Sequence, residues 1–130
     1  MIKLTGINKK FGSEICLENI DLEISDSTFT ALTGKSGSGK TTLLKIIGGL
    51  ESPTSGTVAY DGVFINEMSE ERSSFFRNNN LGFIFQDYFL EENYTVFENV
   101  SIPLVISGVP KKKIQLLAEK QLEAVDMLSK

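Results

Sequence analysis

The chain has 130 residues, 41% hydrophobic, 9% aromatic and 23% charged, which excludes collagen-like, coiled-coil and disordered classes. Thirteen basic against 17 acidic residues leave a net charge of −4, without the basic excess of a nucleic-acid-binding domain. Histidine is absent, so Ser-His-Asp and Cys-His catalysis and imidazole-ligated metal are ruled out within these residues.

One domain is the expected count at this length. The single cysteine, Cys16, cannot form an internal disulfide, and a reducing compartment suits it. In the run Ile15-Cys16-Leu17 it reads as a small buried hydrophobe. The first residues lack the apolar stretch of a secretory signal. No run reaches the ~20 apolar residues of a membrane span. The longest candidate, residues 100–109, is broken by Pro103 and Gly108.

In chain order, Ile2 and Leu4 alternate with Lys3 and Thr5, and Ile20, Leu22 and Ile24 alternate with Asp21, Glu23 and Ser25. This period of two predicts half-buried strands, with Gly12-Ser13 as a turn between them. Residues 29–32 (Phe29, Thr30, Ala31, Leu32) form a short apolar run ending near Gly34, which predicts a buried strand entering a loop. Lys40 to Ile47 carries apolar residues at helical spacing, and Gly48-Gly49 and Pro53 end it. Residues 57–65 read as a hairpin around Asp61-Gly62. Ser69 followed by Glu70 and Glu71 predicts a capped helix to about Arg77, stopped by Asn78-Asn79-Asn80. Residues 81–85 form a second apolar strand candidate. Pro110 is expected at the first position of a last helix running to Lys130. Its apolar residues Ile114, Leu117, Leu122, Val125 and Leu128 have no obvious partner in the remaining sequence. Lys111-Lys112-Lys113 reads as a solvated face. Strands alternating with helices predict an α/β domain.

One motif carries specific chemistry. Gly34-Lys35-Ser36-Gly37-Ser38-Gly39-Lys40-Thr41 matches G-x-x-x-x-G-K-[ST], the phosphate-binding P-loop. Triphosphate oxygens need many converging donors without side-chain bulk, and glycines let successive backbone N–H groups turn inward. The helix starting at Lys40 adds its positive N-terminal end. Lys40 supplies a full charge for the β and γ phosphates, and the Thr41 hydroxyl is a hard oxygen ligand of the kind Mg²⁺ requires. By chance the pattern arises in well under about one in a hundred chains of this length. Lys35 either adds charge beside the phosphates or points to solvent.

Several further segments resemble the ATP-binding subunit of ABC transporters. They are Gly49-Leu50-Glu51-Ser52-Pro53-Thr54-Ser55-Gly56, Gly56-Thr57-Val58 leading to Asp61-Gly62, and Leu81-Gly82-Phe83-Ile84-Phe85-Gln86. Tyr94-Thr95-Val96-Phe97-Glu98-Asn99-Val100, and Pro103-Leu104 ahead of Gly108, continue the match in order. Within the family the chain is most similar to the branch of macrolide exporters, lipoprotein-releasing ATPases and bacteriocin or peptide exporters. The resemblance implies an α/β fold: a P-loop NTPase core of parallel sheet and helices, plus an N-terminal antiparallel β-subdomain. Residues 1–130 would be the N-terminal part of one such domain, truncated before the signature-motif region.

The resemblance also implies roles. Phe11 matches the aromatic that stacks on adenine, where the family more often has Tyr; without the family, it reads as an ordinary strand-end Phe. Gly34, Lys35, Ser36, Gly37, Ser38, Gly39, Lys40 and Thr41 would bind the ATP phosphates, and Thr42 would reach the α-phosphate. Gln86 matches the Q-loop glutamine, an Mg²⁺ ligand beside the attacking water. Lys40 and Gln86 are therefore the catalytic candidates, and Thr41 and Gln86 the metal ligands. The implied cofactors are ATP and Mg²⁺. The implied partners are a second ATP-binding subunit, with nucleotide at the dimer interface, and a transmembrane permease. Residues 87–94, with Tyr88, Phe89 and Tyr94, would either form the permease groove or tuck into a local core. The implied location is cytoplasmic, on the inner face of the membrane.

The sequence contains neither the Leu-Ser-Gly-Gly-Gln signature nor an apolar strand ending in Asp-Glu. Turnover by these 130 residues alone is therefore not expected, although the parent would be an ATPase. Three alternatives stay open: a P-loop kinase or other phosphotransferase, a nucleotide-binding module without turnover, and a soluble ABC-type ATPase acting on DNA or ribosomes. A kinase would need an arginine-rich lid, and only Arg72 and Arg77 occur.

Overall fold

The computed structural model describes residues 1–87 and 89–128, which form two compact units, Met1–Leu81 and Gly82–Lys130. In the first unit, β1 (Ile2–Phe11), β2 (Glu14–Ile24), β3 (Ser55–Tyr60) and β4 (Val63–Phe64) form one antiparallel sheet in the order β2-β1-β3-β4. The predicted alternation is realised, with Ile2 opposite Ile24 and Leu4 opposite Leu22. The register shifts between Leu4 and Ile7, so the buried series along β1 runs Leu4, Ile7, Lys9. A strict period of two read from the sequence misses that irregularity.

The β3–β4 hairpin turns at Asp61 and Gly62, both at positive φ (48° and 82°). Two successive positive φ values match the right-handed twist of the flanking strands, and Asp-Gly accepts them at low cost. Asn66 supports β3 from the side: its Oδ1 accepts from Val58 N (2.8 Å) and its Nδ2 donates to Gly56 O (3.3 Å).

α1 (Lys40–Ile47) contributes Leu43 and Ile46 to a core with Leu4, Ile7, Leu17, Val58 and Ile65. Burying each branched side chain contributes about 1.5–3 kcal/mol. Tyr60 ties β3 to the end of α1, its hydroxyl donating to Ile47 O at 2.7 Å. Burial pushes that hydroxyl's pKa up to about 12. α2 (Glu70–Asn80) is capped by Ser69 as predicted, but continues through the asparagines. Asn79 and Asn80 donate their side-chain amides to Phe75 O and Phe76 O one turn back (2.8 and 2.9 Å), so they extend the helix instead of stopping it. Arg77 Nη1 donates to Gly49 O at 2.9 Å, and Nη2 pairs with Glu70.

Residues 29–32 and 81–85, predicted as strands, pair with nothing among the described residues. Phe29 is 97% exposed. An apolar run becomes a strand only when a neighbour takes its backbone N–H and C=O groups, and no described segment does so here.

The second unit pairs α3 (Val96–Ile106) with α4 (Lys111–Ala124). α3 supplies the partner that the α4 stripe was expected to lack. The stripe itself shifts, with Ile114, Ala118 and Leu122 buried at i, i+4 and i+8 while Val125 and Leu128 are exposed. Pro110 sits one position ahead of the helix, and α4 ends at Ala124 rather than at Lys130, which lies outside the described residues. Lys111, Lys112 and Lys113 are exposed, as the solvated-face reading expects. No helix among the described residues is long and apolar enough to cross a membrane.

Candidate functional site

Residues 34–41 connect the exposed run 29–32 to α1. Gly37 and Gly39 adopt positive φ (77° and 85°), which turns the backbone back on itself ahead of the helix. Gly39 could be nothing else. A Cβ there would lie 2.7 Å from Leu17 Cδ2 and 2.9 Å from Cys16 O, so β2 backs the loop directly. The helix opens with Leu43 N donating to Gly39 O at 2.8 Å. No side chain caps α1, and its first turn carries no acidic residue. Its leading N–H groups and its positive end are thus turned to whatever the loop holds.

The Lys40 side chain folds back across the loop. Its Nζ donates to Gly34 O (2.8 Å) and Lys35 O (2.6 Å), with Ser38 Oγ at 3.4 Å. The charge is therefore held against the backbone of the loop's first two residues. Thr41 is exposed on the first turn, and Thr42, half-buried, accepts a hydrogen bond from Cys16 Sγ at 3.3 Å. Cys16 is itself half-buried and packs at the edge of the core, more open than the fully buried position expected of it. Ser36 and Lys35 are exposed. The residues present fit a polyphosphate: the Lys40 ammonium, the uncapped start of a helix, and no acidic residue in the loop or first turn. For Mg²⁺, Thr41 would offer a hard oxygen ligand of the kind that ion requires.

Phe11 closes β1 and is 52% exposed. Behind it, the Lys9 ammonium lies over the ring, 4.9 Å from its centroid. Sequence reading did not single out Lys9; its signal is a lysine at a buried strand position. Gln86 belongs to the second unit, where it is exposed in a bend. Phe83 stacks on Phe85, and Phe85 meets Phe89 edge-on at 5.1 Å, all three exposed, as is Tyr94. The alternative of a local aromatic core after Gln86 is thereby corrected for Phe89 and Tyr94; Tyr88 lies outside the described residues. Asn99 organises this segment, its Oδ1 accepting from Glu91 N at 2.9 Å and its Nδ2 donating to Glu91 O at 3.1 Å.

The P-loop sequence thus lies between an antiparallel sheet and the start of a helix. The chain belongs to the ABC transporter family, which matches it over residues 17–130. It is 50% identical over 113 residues to the lipoprotein-releasing system ATP-binding protein LolD of Bacteroides thetaiotaomicron, spanning 87% of this chain and 52% of that one. It is 38% identical over 131 residues to the uncharacterized ABC transporter ATP-binding protein YknY of Bacillus subtilis, spanning 98% and 57% of the two chains. The solved dimeric cassette MJ0796 bound to ADP and Pi superposes with a TM-score of 0.82 at 35% identity, covering 95% of this chain and 56% of that one. The chain thus spans about half the length of the curated relatives it matches. The fold is that of an α/β ABC cassette over that part.

Proposed function

We propose that the chain binds Mg-ATP through residues 34–42 as part of the ATP-hydrolysing subunit of an ABC transporter that powers export or extraction of a substrate across or from the membrane. The observation that carries this reading is the Lys40 ammonium held across the Gly34 and Lys35 carbonyls at the uncapped start of α1. Lys40 pairs with the β and γ phosphates, Thr42 reaches the α-phosphate and Phe11 stacks on the adenine. When bound, Mg²⁺ would neutralise charge on the phosphates, with Thr41 of the first unit as its protein ligand. Gln86, exposed in the second unit, offers a side-chain amide oxygen that can accept a hydrogen bond from water.

The partners in this reading are a second ATP-binding subunit, with nucleotide between the two, and a transmembrane permease. Two findings support it: the matched cassette MJ0796 is dimeric, and the LolD relatives are named for a lipoprotein-releasing system. In this reading the permease meets the exposed aromatics Phe89 and Tyr94 after Gln86, at the cytoplasmic face of the membrane. Exposed aromatic side chains suit such an interface. No nucleic acid takes part.

Titration of labelled Mg-ATP into the chain and its Lys40→Ala variant tests the site. Removing the ammonium should cost about 2–3 kcal/mol of binding, roughly 30- to 150-fold in Kd. Equal affinities would overturn the assignment.

A further inference from the structure

Lys9 is the one charged side chain buried among the described residues, at 9% exposure. Burying an ammonium is costly and is offset only by close, well-directed partners. Its partners are specific. Nζ donates to Glu51 Oε1 and to Ser52 O (2.7 Å), both just past the end of α1. The Glu51 backbone is in turn anchored there, its N–H donating to Lys45 O at 3.2 Å. The ammonium also lies over the ring of Phe11.

We propose that Lys9 is a positioning residue for the nucleotide base: its ammonium backs the Phe11 ring and fixes it to the end of α1, and so sets how well a purine stacks without touching the nucleotide. This rests on the base-stacking role given to Phe11 above. Two physical effects lead to it. First, a cation on one face draws π density toward itself and leaves the opposite face less electron-rich, the better surface for an electron-rich purine. Second, Lys9 links the two ends of the site. The phosphate loop opens α1, the Lys9–Glu51 pair sits where α1 closes, and Phe11 lies two residues along β1. The distance from base to phosphates is then set by one helix and one ion pair. Two other bonds hold this strand independently of Lys9: Thr54 N donates to Asn8 O (2.8 Å) and Lys10 N to Thr54 Oγ1 (3.0 Å). Lys9 variants should therefore keep the strand in place.

The test compares Mg-ATP with Mg-tripolyphosphate, which has the phosphates but no base. Affinities are measured on the full chain, on Lys9→Met, on Lys9→Arg, and on Phe11→Ala with and without Lys9→Met. Lys9→Met should weaken Mg-ATP about three- to five-fold and leave tripolyphosphate unchanged. Lys9→Arg, which keeps a cation over the ring, should restore most of the loss. In the Phe11→Ala background, Lys9→Met should add nothing. An equal loss for both ligands, no loss in a folded Lys9→Met chain, or a further loss without the Phe11 ring would each overturn the proposal. Unchanged Mg-ATP affinity in Phe11→Ala alone would instead remove the base-stacking role itself, and the proposal with it. Should Lys9→Met fail to fold, Glu51→Gln gives the same comparison, because it loosens the ammonium while keeping its bond to Ser52 O. It too must weaken Mg-ATP selectively; a shared loss or none overturns the idea.

Discussion

The residues of the phosphate loop owe their positions to backbone conformation before chemistry. Gly39 at φ 85° is wedged against Leu17 and the Cys16 carbonyl, so any side chain there meets both positive φ and a steric block. Gly39→Ala should destabilise the first unit by about 1–3 kcal/mol in a urea melt, and weaken Mg-ATP binding as the loop shifts. Tyr60 makes a separate case. Burial raises its hydroxyl from 10.0 to about 12, so the folded state favours the neutral phenol. Stability from this group is fully present below pH 10 and is lost as pH rises toward about 12. Tyr60→Phe should cost about 1 kcal/mol at neutral pH through the lost bond to Ile47 O. It should also flatten the alkaline decline, and paired urea melts at pH 8 and pH 11.5 read both effects. At this scale the sequence was most legible for Lys40, Thr41 and the glycines, because their spacing follows from the geometry of a phosphate. Lys9 was invisible, because its burial depends on a register shift in β1 and on Glu51, 42 positions away.

Among the elements, α3 shows a signal that was present and passed over. Thr95 and Glu98 form a reciprocal capping box, with Glu98 N donating to Thr95 Oγ1 (3.2 Å) and Thr95 N to Glu98 Oε2 (2.7 Å). The T-x-x-E spacing is readable in the sequence, but Pro103 inside the helix argues against one. Thr95→Ala should cost about 1 kcal/mol and reduce helicity measured by circular dichroism. The two Thr95 hydrogen bonds hold the Glu98 carboxyl below its ordinary 4.5, backbone first. Its contribution is therefore present above pH 4.5 and is lost as pH falls through the lower folded value. Wild type should lose ellipticity over that acid range, and Thr95→Ala should lose less of it. β1, β2 and the Asp61-Gly62 hairpin were legible because local alternation and turn chemistry suffice to specify them. Residues 29–32 and 81–85 were misread because apolar composition alone does not supply a ladder partner.

Across the whole molecule, apolar surface is left open in both units. Phe29 and Leu32 in the first, and Ile84, Phe85, Phe89 and Leu90 in the second, are exposed. Exposed apolar side chains of this kind recruit other chains. Light scattering behind a sizing column should therefore give a mass above the 14.4 kDa of one chain. A monodisperse peak at that mass would refute the expectation. The α/β class was legible from the alternation of elements, and the antiparallel half of it is built as read. A parallel sheet was expected only through the family, and the described residues form none, because residues 29–32 and 81–85 find no pairing partner.

The sheet order β2-β1-β3-β4 also sets a sequence of events during folding. β1 and β2 are joined by two residues, so their hairpin can close within about 1–10 μs. β3 must pair with β1 across a connection that holds the phosphate loop and all of α1. Closing that larger loop raises the entropic cost only logarithmically with its length, yet it comes second. The loop of residues 34–41 is thus part of the connection whose closure completes the sheet. Insertions there would lengthen the search for β3 while leaving the first hairpin's clock untouched.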